Sequence, residues 1–322
     1  MFQILLTSFP MIQTFHMETD NIKFHIPDFV QTMTENDLLK IIQNYDGWIV
    51  GDDPVNEKII EKGVGGKLKA VVKWGVGIDN VDVECLRKKG VSFTNIPNVF
   101  GEAVSDVGVG MLLSLNRRLH NIHQEIMVGN WFKPCGVSLV DKKVCLIGFG
   151  DVGQCSARKL LAFRANVYVY DPNYMMNESG NVVCRSDKTS TLCESLRDVH
   201  VMDSVEKCLE NCHVIFITAS LNDSSYHLLD EKRILLARKG VKIINVSRGK
   251  IICETSIIKL LEKKFIDSVG LDVFEEEPLS FHNPLRFYPQ NIFGTHNASN
   301  EMDSVLKTNS IAISKMMGFL KK

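Results

Sequence analysis

Short apolar runs alternate with helix-periodic segments along the whole chain. Residues 3–7, 22–26, 47–50, 68–74 and 91–95 read as buried strands, with amphipathic stretches between them. Thr34-x-x-Asp37 opens one such stretch before Leu38-Leu39 and Ile41-Ile42. Asp82 opens another, which runs to Lys89 and stops at Gly90. This alternation predicts a small parallel α/β sheet. After a loop at Asn95-Ile96-Pro97-Asn98, residues 103–119 form a long apolar helical stretch with Arg117-Arg118 near its end, suited to carry the chain into a second domain. Runs at 144–147, 166–170, 214–218, 242–246 and 268–273 then alternate with helical stretches at 152–163, 230–239 (closed by Gly240) and 256–264. They predict a doubly wound sheet of about six strands.

Composition narrows the class. The 322 residues allow one or two domains. Hydrophobic residues make up 45% and charged residues 23%, as in an ordinary globular protein, and the formal net charge of −1 gives no electrostatic reason for a nucleic-acid or membrane partner. No apolar run reaches the length of a membrane span. The nine cysteines are an odd number, scattered, and contain no C-x-x-C pair. That usage suits a reducing, cytoplasmic compartment and argues against a disulfide framework or a metal site. The opening MFQILLTSFP lacks a basic region and reads as a first strand rather than a signal peptide.

The second half carries the chemistry. The run Val144-Cys145-Leu146-Ile147 leads into Gly148-x-Gly150-x-x-Gly153, a helix, a second strand and Asp171. Strand, glycine turn, helix, strand and acid together form a dinucleotide-binding fingerprint. Gly148 permits the turn, Gly150 lets a pyrophosphate approach the backbone, and Gly153 lets helix and strand pack closely. Asp171 can hydrogen-bond both ribose hydroxyls and repel a 2′-phosphate, which favours NAD over NADP. In the first half, Trp74-Gly75-Val76-Gly77-Ile78-Asp79-Asn80 follows a strand directly and reads either as a simple turn or as a nest of N–H groups for a carboxylate. Arg248, Asp272, Glu277 and His296 all fall at or past predicted strand ends. Hydride transfer to a 2-keto acid uses such a set. A guanidinium binds the carboxylate, an imidazolium gives a proton to the carbonyl oxygen, and a carboxylate fixes the imidazole tautomer. Taken singly, each also reads as an ordinary charge, and Glu275-Glu276-Glu277 as a solvated acidic run.

With these segments side by side, the chain resembles the D-isomer-specific 2-hydroxyacid dehydrogenases over nearly its whole length. The resemblance rests on WGVGIDNVD (74–82), TNIPN (94–98), GNW (129–131), GFGDVG (148–153), YDP (170–172), INVSRG (244–249), GLDVFEEEP (270–278) and THNAS (295–299). It implies a doubly wound parallel α/β Rossmann domain at 116–296 that binds NAD, plus a smaller flavodoxin-like α/β substrate domain built from 1–115 and 297–322. It implies that Arg248, Glu277 and His296 are the catalytic groups, and that Gly75, Val76 and Gly77 join Arg248 on the substrate carboxylate. It places Gly148, Gly150, Asp151, Val152, Gly153, Asp171, Thr218, Ala219 and Asp272 at the cofactor, Asp272 on the nicotinamide carboxamide. A homodimer built on the cofactor domains is implied too. The expected substrate is a D-2-hydroxy acid or its 2-keto acid. Within the family the segment at 74–80 looks most like the D-3-phosphoglycerate dehydrogenase branch, with Lys73 a candidate for a substrate phosphate. The alternatives are a glyoxylate/hydroxypyruvate reductase and a nucleotide-sensing, corepressor-like binding protein. Two departures stand out. Asp151 occupies a position where members often carry Arg or His, and the chain stops at Lys322, short of the regulatory domain of many phosphoglycerate dehydrogenases.

Overall fold

The computed structural model describes residues 1–14, 22–28, 32–177, 182–186 and 196–321. Its contacts divide the chain into two compact units, Met1–Val99 with Asn300–Lys322, and Phe100–Ser299.

The first unit is a five-stranded parallel sheet: β1 (Phe2–Leu6), β2 (Ile22–His25), β3 (Gly47–Val50), β4 (Ala70–Lys73) and β5 (Ser92–Thr94), in the order β2-β1-β3-β4-β5. Every residue of β3 and β4 is buried, which is why both read as short continuous apolar runs. Around the sheet lie α1 (Phe9–Gln13), α2 (Glu35–Ile41), α3 (Glu57–Val64) and α4 (Val83–Lys88). Thr34, Asn56 and Asp82 each cap a helix by accepting a backbone N–H of its first turn, so two of these starts are the ones the sequence marks. The last helix, α11 (Met302–Leu320), returns to β3 and β4. A side chain at Gly47 would sit 2.4 Å from Met316 Sδ, so the strand backbone itself is what the helix packs on. Trp74 Nε1 donates to Asn309 Oδ1 at 2.8 Å and ties the exit of β4 to the same helix.

The second unit opens with α5 (Gly101–Arg117) and α6 (Leu119–Met127), and then builds a sheet. Its strands are β6 (Lys143–Ile147), β7 (Asn166–Tyr170), β10 (His200–Val201), β11 (Val214–Ile217), β12 (Val241–Asn245), β13 (Ile266–Leu271) and β14 (Ile292–Phe293). A separate antiparallel hairpin, β8 (Tyr174–Met176) with β9 (Val182–Cys184), follows β7. The main sheet runs β10-β7-β6-β11-β12-β13-β14, all parallel. The order reverses between β6 and β11, so the carboxyl ends of these two strands flank the switch point where doubly wound sheets take ligands. The helices here are α7 (Asp151–Ala162), α8 (Val205–Leu209), α9 (Glu231–Ile234) and α10 (Glu254–Glu262).

Several boundaries differ from the sequence reading, for physical reasons. The units part at 99/100 and 299/300 rather than at 115/116 and 296/297. The cause is α5. It packs along its length on α7, β12 and β13, and Gly108 brings it so near β11 that a Cβ there would meet Phe216 Cζ at 2.5 Å. Leu112 and Leu115 are among its buried residues, each worth about 2 kcal/mol. The long helix also ends two residues early: Arg118 takes left-handed angles (φ 53°, ψ 36°) and turns the chain into α6. The helix expected at 230–239 is only Glu231–Ile234, because Leu236 and Arg238 exchange backbone hydrogen bonds with Asn211 and Cys212 instead of continuing the ladder. β14 and the β8–β9 hairpin carry no sequence signal strong enough to predict. The eight cysteines among the described residues are all free thiols.

An ionic clasp joins α5 to α7. Glu102 takes Arg158 Nη2 at 2.6 Å and Lys159 Nζ at 3.0 Å, and Lys159 also reaches Asp106 at 2.7 Å. The hydrogen bond from Lys159, outweighing the desolvation, holds the Glu102 carboxyl down to about 2. A depressed carboxyl contributes stability above its ordinary value of 4.5 and loses it as pH falls toward about 2. Glu102 is 65% exposed, so solvent screening keeps the contribution to about 1 kcal/mol or less. Glu102→Gln is therefore expected to lower Tm at neutral pH by about 2–3 °C. That gap closes as the pH is lowered toward 3, as read by thermal melts across pH; a gap of constant size would assign the effect to packing.

Candidate active site

β6 ends where the glycine turn begins. Gly148 has φ +95°, in the left-handed region, and a Cβ there would lie 2.5 Å from Ala219 N. Thr218 Oγ1 donates to Gly148 O at 2.8 Å, so Thr218 and Ala219 at the end of β11 clamp the turn from beside it. A Cβ on Gly153 would meet Gly148 O at 2.4 Å; this glycine lets α7 close onto the turn. Gly150 differs. It is the N-cap of α7, and a Cβ added there meets nothing within 4 Å. The first turn of α7 has no side-chain cap, so its N–H groups remain available to an anion. Val152 is half-buried in that turn. Asp171, just past β7, accepts Phe149 N at 2.7 Å and Asn173 N at 2.8 Å, which aims its carboxylate at the glycine turn. Open space over Gly150, uncapped donors and an oriented acid fit a dinucleotide.

The Asp151 carboxylate faces elsewhere. Its oxygens lie 2.5 and 2.7 Å from the position a Cβ on Gly101 would occupy, against the first turn of α5.

A second group of residues assembles past β12, β13 and β14. His296 Nδ1 and Glu277 Oε2 are 2.8 Å apart, each side chain about 30% exposed (30% and 29%). The other Glu277 oxygen accepts Phe274 N at 2.9 Å, which holds the carboxylate in place. With Nδ1 on the carboxylate, proton exchange falls to Nε2. His296 has φ 55°, unusual for a residue with a side chain, and a bond from its N to Asp272 O at 2.7 Å keeps it there. The buried Asp272 carboxylate accepts Asn297 N at 3.2 Å and Ala298 N at 3.0 Å. It thus holds the loop that presents His296.

Arg248 stands on a turn built by Asn245. The buried amide accepts Ser247 N at 3.0 Å and donates to Arg248 O at 2.9 Å, while Arg248 Nη1 donates to Ser247 O at 2.8 Å. Gly249 follows, and a Cβ there would sit 1.9 Å from the carbonyl of Phe274. The Arg248 loop and the Phe274–Glu277 loop are therefore in backbone contact, and Glu277 passes that contact to His296. Sequence reasoning missed Asn245 and Gly249, although INVSRG lay in view; their roles depend on a partner strand's exit.

Comparison with known proteins gives the family. The profile of the D-isomer specific 2-hydroxyacid dehydrogenase NAD-binding domain matches residues 109–298. The chain belongs to that family. It is an NAD-dependent enzyme, with NAD as its cofactor. The dehydrogenase is 25% identical over 295 residues to a glyoxylate reductase of Thermofilum pendens, covering 89% of this chain and 82% of that protein. It is 30% identical over 268 residues to a D-3-phosphoglycerate dehydrogenase of Methanocaldococcus jannaschii, covering 82% of this chain but 47% of that protein. In fold it is similar to the D-lactate dehydrogenase of Aquifex aeolicus solved with NAD and lactic acid, with TM-score 0.79 and 20% identity over 99% of this chain and 95% of that one.

Two further placements bear on the dehydrogenase's substrate. In the first unit, Ile96 N donates to Gly75 O at 2.9 Å and Asn95 Nδ2 to Val76 O at 2.7 Å. They hold the Gly75-Val76-Gly77 loop, with Gly75 at φ +132° and Val76 and Ile78 exposed. Lys73 is 3% exposed, and its ammonium is committed to Gly51 O and to Asp52 at 3.0 Å. Glu275 is not simply a solvated acid: it accepts Glu254 N at the start of α10 (2.7 Å) and lies 3.2 Å from His227 Nε2.

Proposed function

We propose that the dehydrogenase reduces a small, phosphate-free 2-keto acid of the glyoxylate or hydroxypyruvate kind to the D-2-hydroxy acid. The observation that carries this reading is the His296–Glu277 hydrogen bond at 2.8 Å, on a loop past the strand ends of the dinucleotide sheet. Bound NADH supplies the hydride. Arg248 binds the substrate carboxylate and polarises the carbonyl with its fork of N–H donors. His296, protonated, gives its Nε2 proton to the carbonyl oxygen as that oxygen gains charge, and takes it back in the reverse direction. Glu277 keeps the ring oriented through Nδ1, and Asp272 positions the His296 backbone. Gly148 to Gly153, Thr218, Ala219 and Asp171 form the cofactor side.

The reading without a phosphate is supported by Lys73. Its ammonium is already paired inside the first unit, and the neighbouring Asp52 is 69% exposed and repels a dianion. Relatives named glyoxylate reductase or hydroxypyruvate reductase point the same way. The second reading, 3-phosphohydroxypyruvate, is favoured by the 30% identical phosphoglycerate dehydrogenase. NADH oxidation, followed by absorbance with glyoxylate, hydroxypyruvate, pyruvate and 3-phosphohydroxypyruvate, tests both. A preference for the phosphorylated acid would move the substrate to the second reading. Silence toward every keto acid alongside tight NADH binding would favour a nucleotide-sensing protein.

The working form is a homodimer in a reducing, cytoplasmic setting. No residue of α6 is buried, and Ile126, Met127 and Trp131 (81% exposed) are exposed apolar side chains of the kind an identical surface would cover. Trp131→Glu is expected to shift the mass seen by light scattering from two chains to one; an unchanged mass would move the interface elsewhere.

A further inference from the structure

We infer that Asp151 lowers the enzyme's affinity for NAD(H), acting as a resident carboxylate that competes electrostatically with the cofactor's pyrophosphate at the start of α7. The inference rests on the reading that this helix end receives the pyrophosphate.

Two helix starts converge on this carboxylate. Asp151 is the first residue of α7, which has no side-chain cap. Its oxygens lie against Gly101, the first residue of α5, and α5 has no side-chain cap either. Each uncapped start carries about half a positive charge. One carboxylate therefore serves both helix ends, and the bare Gly101 is what lets it approach α5. The orientation leaves the space over Gly150 open, so Asp151 does not block the cofactor. Its charge nonetheless stays on the turn where the pyrophosphate must sit.

The two cations of the same helix are engaged elsewhere. Arg158 and Lys159, later on α7, are engaged by Glu102 and Asp106 of α5. A pyrophosphate arriving at α7 thus meets a field that Asp151 has already partly neutralised. The consequence is a weaker complex and faster release of the oxidised cofactor, a step that limits turnover in many enzymes.

The charge-neutral isostere separates this role from a structural one. Removing a carboxylate that serves two helix ends lowers stability, so a purely structural residue would lose stability and binding together. Asp151→Asn is expected to do the opposite for binding. The Kd of NADH, read by fluorescence at low salt, tightens about fivefold. Over the same change Tm falls by about 2 °C. ADP-ribose, which carries the pyrophosphate, tightens in parallel, whereas adenosine does not. At about 1 M salt, where the screening length is about 3 Å, variant and parent converge to within about twofold. Asp151→Glu keeps the charge and stays near the parent, while Asp151→Ser, neutral and small, follows Asn.

Equal or weaker NADH binding in Asp151→Asn would overturn the inference, as would tightening shared by Asp151→Glu. Tightening of adenosine along with ADP-ribose would also overturn it. If the parent chain bound neither NADH nor ADP-ribose, the reading of the glycine turn itself would fall, and the inference with it.

Discussion

Replacing His296 with asparagine is expected to lower kcat/KM for keto-acid reduction by roughly a thousandfold, within the range for a positioned acid/base group. The loss should fall on kcat. Asparagine keeps a polar side chain of similar reach but holds no transferable proton, and the carbonyl oxygen must then take its proton from water. Cofactor binding should change by no more than about twofold, because His296 belongs to the loop past β14 rather than to the glycine turn. Two controls sharpen the result. Glu277→Gln keeps the shape of the carboxylate and the bond from Phe274 N but not the charge facing Nδ1. It should therefore lose activity by a smaller factor than His296→Asn. Asp272→Asn should disturb the presentation of His296, since one oxygen now accepting the N–H of Asn297 or Ala298 would be replaced by a donor. If His296→Asn retained turnover within a few-fold of the parent on its best substrate, the proton would have to come from another group, and the role given to His296 would be wrong.

Arg248→Gln should raise KM for the keto acid strongly and lower kcat as well, for a combined loss in kcat/KM of about a hundredfold or more. Both parameters should respond because the role proposed for the guanidinium has two parts. Its hold on the carboxylate is present in the ground state and sets KM. Its pull on the carbonyl oxygen grows as charge develops there and sets kcat. Arg248→Lys should recover only part of the loss, since an ammonium restores the charge without the planar fork. The backbone of the turn is expected to survive either change, because Asn245 shapes it through main-chain groups of Ser247 and Arg248. Oxamate, a carboxylate-bearing inhibitor, gives a direct check: its inhibition constant should weaken in step with KM. An unaltered KM and an unaltered oxamate constant would remove Arg248 from the substrate.

Much of the cofactor side was legible in the chain. The glycines at 148 and 153 act through a left-handed φ and close approaches that a side chain would spoil, and such demands appear as residue identity. The starts of α2 and α4 were legible because a cap bonds to an N–H three residues away. Helix and strand positions followed from local periodicity for the same reason. The end of α5 was not, since nothing local distinguishes Arg118 as the residue that turns left-handed.

The catalytic side was legible only as a set of residue types past strand ends. In Glu275-Glu276-Glu277 the sequence alone offers three equivalent carboxylates. Tertiary structure separates them: Glu277 meets His296, 19 positions away, whereas Glu275 meets His227 and the start of α10. Lys73 reads as a free cation for a phosphate and is instead paired with Asp52, from a strand exit 21 residues earlier. Asp272 reads as a ligand for the cofactor, and only the tertiary structure shows that its carboxylate also holds the His296 loop.

What the chain determined by itself was therefore the pair of parallel α/β units and the glycine turn, both set by backbone conformation, capping and periodicity within a few residues. What only tertiary structure decided was which charges face a ligand and which face each other. Asp151 shows the division most directly. Its place at the start of α7 is visible in the sequence, but its turn toward α5 depends on Gly101, fifty residues upstream, leaving room beside it. Side-chain direction at long range is fixed by packing between elements, and no local pattern encodes it.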